Sequence, residues 1–250
     1  MWSALALLGV PQSALAGSKR RIKCPKVSRL VRSKAYQRCV RRSDGVLHGP
    51  SRRRFRLSAD VGSYVDGEKQ GRWRVELFTG EVHELDYDAG QLHGLVQRRD
   101  TKGVVRDRWA YQHGAPHGGH VGKWPDGTRR VEERFVRGAS DGVATSWHED
   151  GSVARVAHYK ARRLHGPYEE YWHGGKPLEV GHYIGGLRDG VWRGFHATGS
   201  PLYVGDWRAG VQAGIWRFFD AKGDVVSSWG SAEPTSVQDS VSPAAHPALP

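Results

Sequence analysis

Methionine and cysteine are scarce in this chain, and long apolar runs are missing. Its 250 residues include one Met and two Cys, against 33 Gly and 10 Trp. Beyond the N-terminus, no segment approaches the roughly 20 consecutive apolar residues of a transmembrane helix. Glycine adopts positive φ in tight turns, and aromatic side chains pack well on a pleated sheet. The composition therefore argues against a helical bundle and favours many short strands joined by turns.

Motifs of common enzyme classes are also missing from the sequence. It contains no phosphate-cradling Gly-Lys-Ser loop, no nucleophile elbow and no Cys–His pair. The acids Glu132-Glu133 and Glu169-Glu170 are adjacent in sequence, so on strands they would point to opposite faces and could not share a proton across a substrate. We therefore expect no catalytic residue, no cofactor and no enzymatic activity.

The N-terminus has the pattern of a secretory signal. An apolar run from Trp2 to Val10 is followed by a proline and by Ala14-Leu15-Ala16, the small-x-small arrangement that signal peptidase accepts. This predicts a signal over residues 1–16 and an exported protein that is periplasmic, envelope-associated or secreted. No Lys or Arg precedes the run, so a false signal and a cytoplasmic protein remain the alternative.

Cys24 and Cys39 are the two cysteines. In an exported protein, two cysteines this close are expected to pair. The resulting disulfide would stabilise the fold by about 3 kcal/mol through the entropy of the unfolded chain. Their spacing fits no zinc or redox motif.

Positive charge is concentrated near the N-terminus. Between Lys19 and Arg56 there are fifteen bases and one acid, a net charge of +14, whereas the other 23 bases and 25 acids give −2. Such a segment attracts polyanions. We expect it to contact anionic lipid or an envelope polyanion, with nucleic acid less favoured. The candidate anion-binding residues are Lys19, Arg20, Arg21, Lys23, Lys26, Arg29, Arg52, Arg53 and Arg54.

Residues 17–44 are interpreted as a short basic arm that contains a helix. Apolar residues recur there at steps of three, one, four and four, which places them on one helical stripe: Val27, Leu30, Val31, Ala35 and Cys39. The stripe has no Trp or Phe, so packing on the adjoining domain is favoured over burial in a membrane interface.

Glycine recurs along the chain with a period of about 24 residues. An anchor glycine stands at positions 49, 71, 94, 118, 142, 166, 190 and 214. A second glycine lies four residues before each anchor, except at Arg162, and a third lies nine residues after each anchor, except after Gly49. The array spans residues 45–229, and residues 230–250, rich in Ser, Pro and Ala, are predicted to be a disordered tail.

A 24-residue unit with two glycine turns leaves room for two strands. The fold is therefore predicted to be all-β, an elongated single-layer antiparallel meander of about eight hairpin repeats. Asp126-Gly127 and Asp150-Gly151 suit the tight primed turns of hairpins. Rings three residues apart on the outgoing strand, such as Trp192 and Phe195, indicate a bulge or bend in each hairpin.

Aromatic residues follow the same period. Gly181 and Gly205 lie two residues before Tyr183 and Trp207, and they would leave slots for rings from the neighbouring hairpin. Most rings should therefore pack within the sheet. A single layer cannot bury both of its faces, so some rings are candidates for binding a partner. These candidates are Trp73, Tyr168, Tyr183, Trp192, Trp207 and Trp216.

The pattern Gly-x-x-x-Gly-x-Trp-x-x-aromatic, seen at 186–199 and 210–223, resembles the MORN repeat. It is most similar to the longer-spaced bacterial variant in proteins often labelled antitoxin components of toxin–antitoxin systems. The resemblance covers about residues 45–229 and implies a scaffold, a protein-binding surface or a lipid-binding surface. The missing glycine after Gly49, Arg162 and the ring-free middle copies depart from the pattern.

His113, His117 and His120 form the best metal-like cluster, which zinc or nickel could occupy. His117, however, directly precedes an anchor glycine, as His48, His93 and His165 also do, so we interpret it as a turn residue of the repeat. No metal is therefore expected. A metal-dependent enzyme at this cluster is the least favoured reading.

The favoured function is a non-enzymatic exported scaffold that binds a protein or the cell envelope, with the basic arm on an anionic surface. The alternative is an antitoxin or immunity-type protein that neutralises one protein partner. Open end strands would also permit self-association.

Overall fold

The computed structural model describes residues 21–230, which form one antiparallel sheet of twenty strands. The strands are β1 Ser28–Arg32, β2 Tyr36–Arg41, β3 Leu47–Arg54, β4 Ser58–Val65, β5 Glu68–Leu77, β6 Val82–Asp88, β7 Gln91–Arg99, β8 Val105–Gln112, β9 Ala115–Lys123, β10 Arg129–Val136, β11 Ala139–Ser140, β12 Gly142–Trp147, β13 Val153–Lys160, β14 Arg163–Tyr171, β15 Pro177–Ile184, β16 Leu187–Arg188, β17 Gly190–Phe195, β18 Pro201–Arg208, β19 Val211–Phe219 and β20 Val225–Trp229. The signal, Lys19, Arg20 and the tail beyond Gly230 lie outside the described residues.

Strands pair in sequence order, so the sheet is an up-and-down meander. β13, for example, pairs with β12 on one side and with β14 on the other, both antiparallel. The predicted all-β, single-layer hairpin array is therefore confirmed. Register shifts on the outgoing strands, such as the one between Gly194 and Phe195, confirm the predicted bulges.

The turns after the outgoing strands differ from the predicted type. In the turn after β12, His148 N–H donates to Ser152 O at 2.9 Å, and Gly151 N–H donates to His148 O at 3.1 Å. Gly151 has φ +83°. These backbone bonds define a hairpin with a three-residue loop and a glycine in the left-handed region. The Asp150 carboxylate stabilises this loop by accepting the Ser152 N–H at 2.8 Å. Asp126-Gly127 has the same arrangement, with Gly127 N–H donating to Trp124 O at 3.0 Å, so the primed turns predicted at both sites are wrong.

Primed turns occur at the other ends of the strands, where one repeat joins the next. Ala209 and Gly210 have φ +48° and +82°, as a two-residue type I′ turn requires. Gly210 N–H also donates to Arg188 O of the preceding repeat at 2.9 Å. The second glycine of the repeat thus supplies both the turn geometry and a contact to the neighbouring turn.

The predicted N-terminal helix is wrong. Residues 28–41 form the β1–β2 hairpin, in which Leu30 pairs with Cys39, and β2 continues the sheet through the pairing of Arg38 with Ser51. The Ser33 hydroxyl accepts N–H groups from the turn, at 3.1 Å from Ala35 N. A short apolar run fits both the helical and the strand period, and here the backbone pairing of β2 with β3 favours strands.

The sheet begins before residue 45, and the N-terminal strands are covalently tied. Cys24 and Cys39 are joined by a disulfide, as predicted, and Cys39 is fully buried. The connection holds residues 24–27 against β2, and Arg42 N–H donates to Val27 O at 2.9 Å.

The core of this thin molecule lies on one face of the sheet, which we call the aromatic face and define by Trp73, Tyr168, Trp192 and Trp216. Their side chains are at most 9% exposed. The Trp192 indole lies over Gly181 and donates to His182 O at 3.2 Å. The slots predicted at Gly181 and Gly205 are confirmed, and Gly62 forms a third one beneath Trp73.

Candidate functional site

The first three strands form a surface with many arginines and few acids. Arg29 and Arg32 lie on β1, Arg54 ends β3, and Arg56 lies in the turn that follows; all four are exposed. Within the described residues none of the four has a carboxylate partner, whereas the only acid between residues 21 and 56 is Asp44. We call Arg29, Arg32, Arg54 and Arg56 the basic surface. Arg29 and Arg32 are three residues apart on β1 and therefore point to opposite faces, so the charge is presented on both faces at this end of the sheet. No carboxylate of the described residues neutralises it.

Two bases of this region are structural. Arg53 pairs with the buried Asp60 at 2.7 Å, and this hydrogen bond raises the arginine pKa. Arg41 bridges Asp44 at 2.7 Å and Asp66 at 2.5 Å across neighbouring repeats. Arg53 was predicted to bind anions, but its guanidinium is already engaged by a carboxylate. Such arginines fasten strands together and are poor candidates for binding.

The other predicted anion-binding residues divide by position. Arg21, Lys23 and Lys26 are exposed on the segment that leads into β1, as is Arg29 on the strand itself. Arg52 is half-buried on β3, with further contacts inside the protein. The structure therefore brings the exposed bases of the first segment to the same end of the sheet as those of β3.

The predicted partner-binding rings are mostly inside the protein. Trp73 and Trp192 are fully buried, and Tyr168 and Trp216 nearly so, whereas Tyr183 and Trp207 are half-buried. Tyr183 meets Trp192 edge to face, with ring centroids 5.0 Å apart. The buried rings hold repeats together and offer no surface to a partner in this conformation.

Cations cap the aromatic face at equivalent positions of two repeats, which sequence reasoning missed. The Arg188 guanidinium lies 3.9 Å from the Trp192 ring centroid and 5.3 Å from that of Trp207. Lys69, two residues before its own anchor glycine, stands in the same way over Trp73 and Tyr87. A base two residues before an anchor followed by tryptophan is the signal that could have revealed this pattern.

A buried ionic cluster occupies the middle of the sheet, where the repeats lack the tryptophan. Asp107, 2% exposed, accepts from Arg98 at 2.5 Å and Arg130 at 2.6 Å. Burial alone would raise the pKa of Asp107, but the hydrogen bond and charge of Arg98, with Arg130, hold it below its usual value. His120 lies between Asp107 and Glu133, and its ring stacks on Trp109. Gly122 makes room for the Arg130–Asp107 pair.

The three candidate metal ligands are dispersed among separate contacts. His120 belongs to the ionic cluster, His117 Nδ1 accepts the Arg137 N–H at 3.4 Å, and His113 is a turn residue with φ +48°. His48 and His165 accept turn N–H groups in the same way as His117. No group of three potential ligands that could hold a metal occurs among residues 21–230.

The turns after the outgoing strands carry a ladder of side-chain hydrogen bonds between successive repeats. Each donor contacts the backbone carbonyl 23 residues further on: Trp124 to Trp147, His148 to Tyr171, Trp172 to Phe195 and His196 to Phe219. Contacts between successive turns also occur at the other ends of the strands. Together with the ladder, they fix the spacing of the repeats at both ends of the strands.

A shallow cleft of about 420 Å³ lies beside this ladder. Its lining includes the charged Arg155 and Glu170, the rings of Trp172 and His173, and the apolar Leu178. Charges of both signs face the cleft, and Glu170 already accepts the Tyr168 hydroxyl at 3.0 Å. The cleft therefore selects no single class of ligand.

The geometry defines a single-layer β-hairpin repeat protein with glycine at most of its reversals and aromatic residues between repeats. A family model described as the MORN repeat variant matches residues 140–161 and 164–184. Those segments are two consecutive units of the array, which are thus similar to MORN repeats of the variant type, and most of the other units keep the same glycines. No curated protein matches the chain. MORN repeats commonly mediate protein or membrane binding.

Proposed function

We propose that this chain is an exported, non-enzymatic MORN-repeat scaffold whose basic surface binds an anionic partner of the cell envelope, such as phospholipid headgroups. The observation that carries the proposal is the set of exposed, unneutralised arginines on β1, at the end of β3 and in the turn after it, beside residues 57–230, whose 23 bases and 23 acids cancel. These arginines lie on a folded sheet, so little ordering entropy opposes binding. The described residues contain no helix long and apolar enough to cross a bilayer.

Substitution tests this proposal better than deletion, because deleting residues 18–56 would remove β1, β2 and β3. We expect the variant R29Q/R32Q/R54Q/R56Q to bind phosphatidylglycerol vesicles about 1,000-fold more weakly, since each of the four bases near an anionic surface contributes about 1 kcal/mol and about 1.4 kcal/mol is a factor of ten. Binding should also weaken steeply as salt is raised. Co-sedimentation with phosphatidylglycerol and phosphatidylcholine vesicles measures both effects.

The matched control is K102Q/K123Q/K160Q/K222Q, which removes the same charge from exposed positions in the rest of the array. It should bind almost as the unaltered protein does. Equal losses in the two variants would contradict a localised surface and indicate attraction by net charge alone. If the chain instead bound no vesicles and formed a salt-resistant complex with one protein, an antitoxin or immunity-type role would be favoured.

Export has its own measurement. Mass spectrometry of the protein from its native host should show an N-terminus at Gly17 and a mass that includes the Cys24–Cys39 bond. Retention of Met1 and a reduced pair of cysteines would place the protein in the cytoplasm.

A further inference from the structure

The two end strands of the sheet are protected to different degrees. β1 carries Arg29 and Arg32, and the segment before it is tied to β2 by the disulfide. β20 has the sequence Val-Val-Ser-Ser-Trp, with no charged residue and no proline, and all five of its residues are exposed. Charges and prolines are the usual means of keeping an edge strand from pairing with another chain. Of the two end strands, only β20 lacks both charges and prolines.

The row of rings on the aromatic face ends at β20. Trp229 stacks on Trp216 with centroids 5.7 Å apart and an angle of 8°, yet it remains 46% exposed. Val225 and Val226 are 56% and 63% exposed. Among the described residues, β20 has a hydrogen-bonded neighbour on one side only, β19, whereas β19 pairs with both β18 and β20. Backbone groups and apolar side chains are thus open together at one edge.

We propose that two copies of this chain associate through β20, antiparallel and about a two-fold axis at Ser227. This register sets Ser227 opposite its own counterpart, Val226 opposite Ser228, and Val225 opposite Trp229. Pairing of an aromatic with a β-branched residue is favourable across strands. The twenty-stranded sheet would then continue into the second copy and cover the exposed valines and Trp229.

Charge favours the pairing of β20 with a second β20 over a pairing between two β1 strands. Two β1 strands would bring Arg29 and Arg32 of both copies together, and like charges across strands repel. Pairing of β1 with β20 is head-to-tail, which leaves free edges at both ends and extends without closing. The β20 pair closes on itself. Five residues bury less area than a standard interface, so we expect dissociation in the micromolar range.

The test uses a charge exchange at the two-fold axis. In Ser227→Lys the two lysines face each other, and in Ser227→Glu the two glutamates do, so each variant should be monomeric at concentrations where the unaltered full chain is a dimer. An equimolar mixture of the two variants should restore the dimer, because Lys then faces Glu. Sedimentation velocity over a micromolar concentration series measures all three states.

Thr101→Lys and Thr101→Glu are the matched controls, since Thr101 is exposed in a turn at the middle of the array. Both should remain dimeric, and the circular dichroism spectra of all four variants should match that of the unaltered chain. A full chain that is monomeric throughout the series would overturn the proposal. So would dimers that persist in the Ser227 variants, or monomers that persist in their mixture.

Discussion

A single hydrogen atom at Gly181 decides how closely the Trp192 ring approaches the sheet. A Cβ built on Gly181 would lie 2.2 Å from the indole, and the same distance separates a Cβ on Gly205 from the Trp216 ring. Neither glycine has positive φ, so their selection is steric rather than conformational. Glycine in these two strands is therefore a packing residue.

We expect Gly181→Ala to destabilise the protein by about 1 to 3 kcal/mol, the usual cost of overpacking. Gly119→Ala is the control, because nothing lies within 4 Å of a Cβ there and the backbone is extended. Urea unfolding followed by circular dichroism compares the two. A G181A variant as stable as G119A would show that the Trp192 ring can move aside at no cost.

Asp107 is the residue whose loss should be most costly in the middle of the sheet. Asp107→Asn leaves Arg98, Arg130 and His120 without their shared carboxylate. We expect a loss of about 2 to 4 kcal/mol, toward the lower end for buried pairs because both arginines are about one-third exposed. Thermal unfolding at neutral pH measures this loss. Asp44→Asn, which affects an exposed pair, should change little.

Tyr168 gives the protein a dependence on alkaline pH. Burial, with the hydrogen bond to Glu170, raises the pKa of Tyr168 to about 12. The folded-state pKa lies above the ordinary tyrosine value of about 10, so the contribution to stability is complete below about pH 10 and is lost as pH rises through about 12.

The tyrosinate absorbance of the unaltered protein minus that of Tyr168→Phe isolates this one titration. We expect its midpoint near the raised value, and unfolding free energies measured between pH 9 and 12 should fall less in the variant. A difference curve centred near the ordinary tyrosine value would mean that the side chain is hydrated.

Residue-scale features were predictable where they repeat. The slots at Gly181 and Gly205 follow from spacing to Tyr183 and Trp207, because each recurs with the period of the chain. The ionic cluster follows no period, since Arg98, Asp107 and His120 occupy places where other repeats carry different residue types. A single sequence shows such residues as separate exceptions, and only the register of the strands reveals that they share one face.

At the scale of the element, Arg162 is the exception among the primed turns. It occupies the place of the turn glycine with φ +72°, a conformation that costs a residue with a Cβ about 1 kcal/mol. Arg162→Gly should therefore raise the free energy of unfolding by about that amount, less the small contribution of its exposed hydrogen bond to Gly138 O.

The reciprocal variant is Gly186→Ala at the same place in the next repeat, where φ is +94° and the nearest atom to a Cβ is 3.9 Å away. It should lose stability for conformational reasons alone. Chemical unfolding of both variants gives the comparison; changes of the same sign would mean that turn strain does not control these positions.

Strands were predictable as elements, whereas turn types and the first hairpin were not. Two glycines per period indicate two reversals, but Asp150-Gly151 is compatible with either hairpin class, and the bond from Ser152 N–H to Asp150 selects the longer one. The run from Val27 to Cys39 satisfies a helical period as well as a strand pairing. Long-range pairing with β3 overrides the local pattern there.

For the whole molecule, nearly all stabilising contacts join neighbouring repeats, so local damage should remain local. The Cys24–Cys39 bond closes a separation of 15 residues and contributes about 3 kcal/mol by loop entropy. We expect Cys24→Ala/Cys39→Ala to increase hydrogen exchange in β1 to β3 and to leave β13 to β19 unchanged. Exchange measured by mass spectrometry would show a uniform increase instead if the sheet unfolded as one unit.

At one end of the strands lies the ladder of side-chain hydrogen bonds, and at the other end lie the linked turns. Both reach only from each repeat to the next. Gain or loss of a whole 24-residue unit would therefore rejoin two surfaces that already fit each other. Homologous arrays are free to differ in length by complete units during evolution, while an insertion of any other size must be confined to a turn.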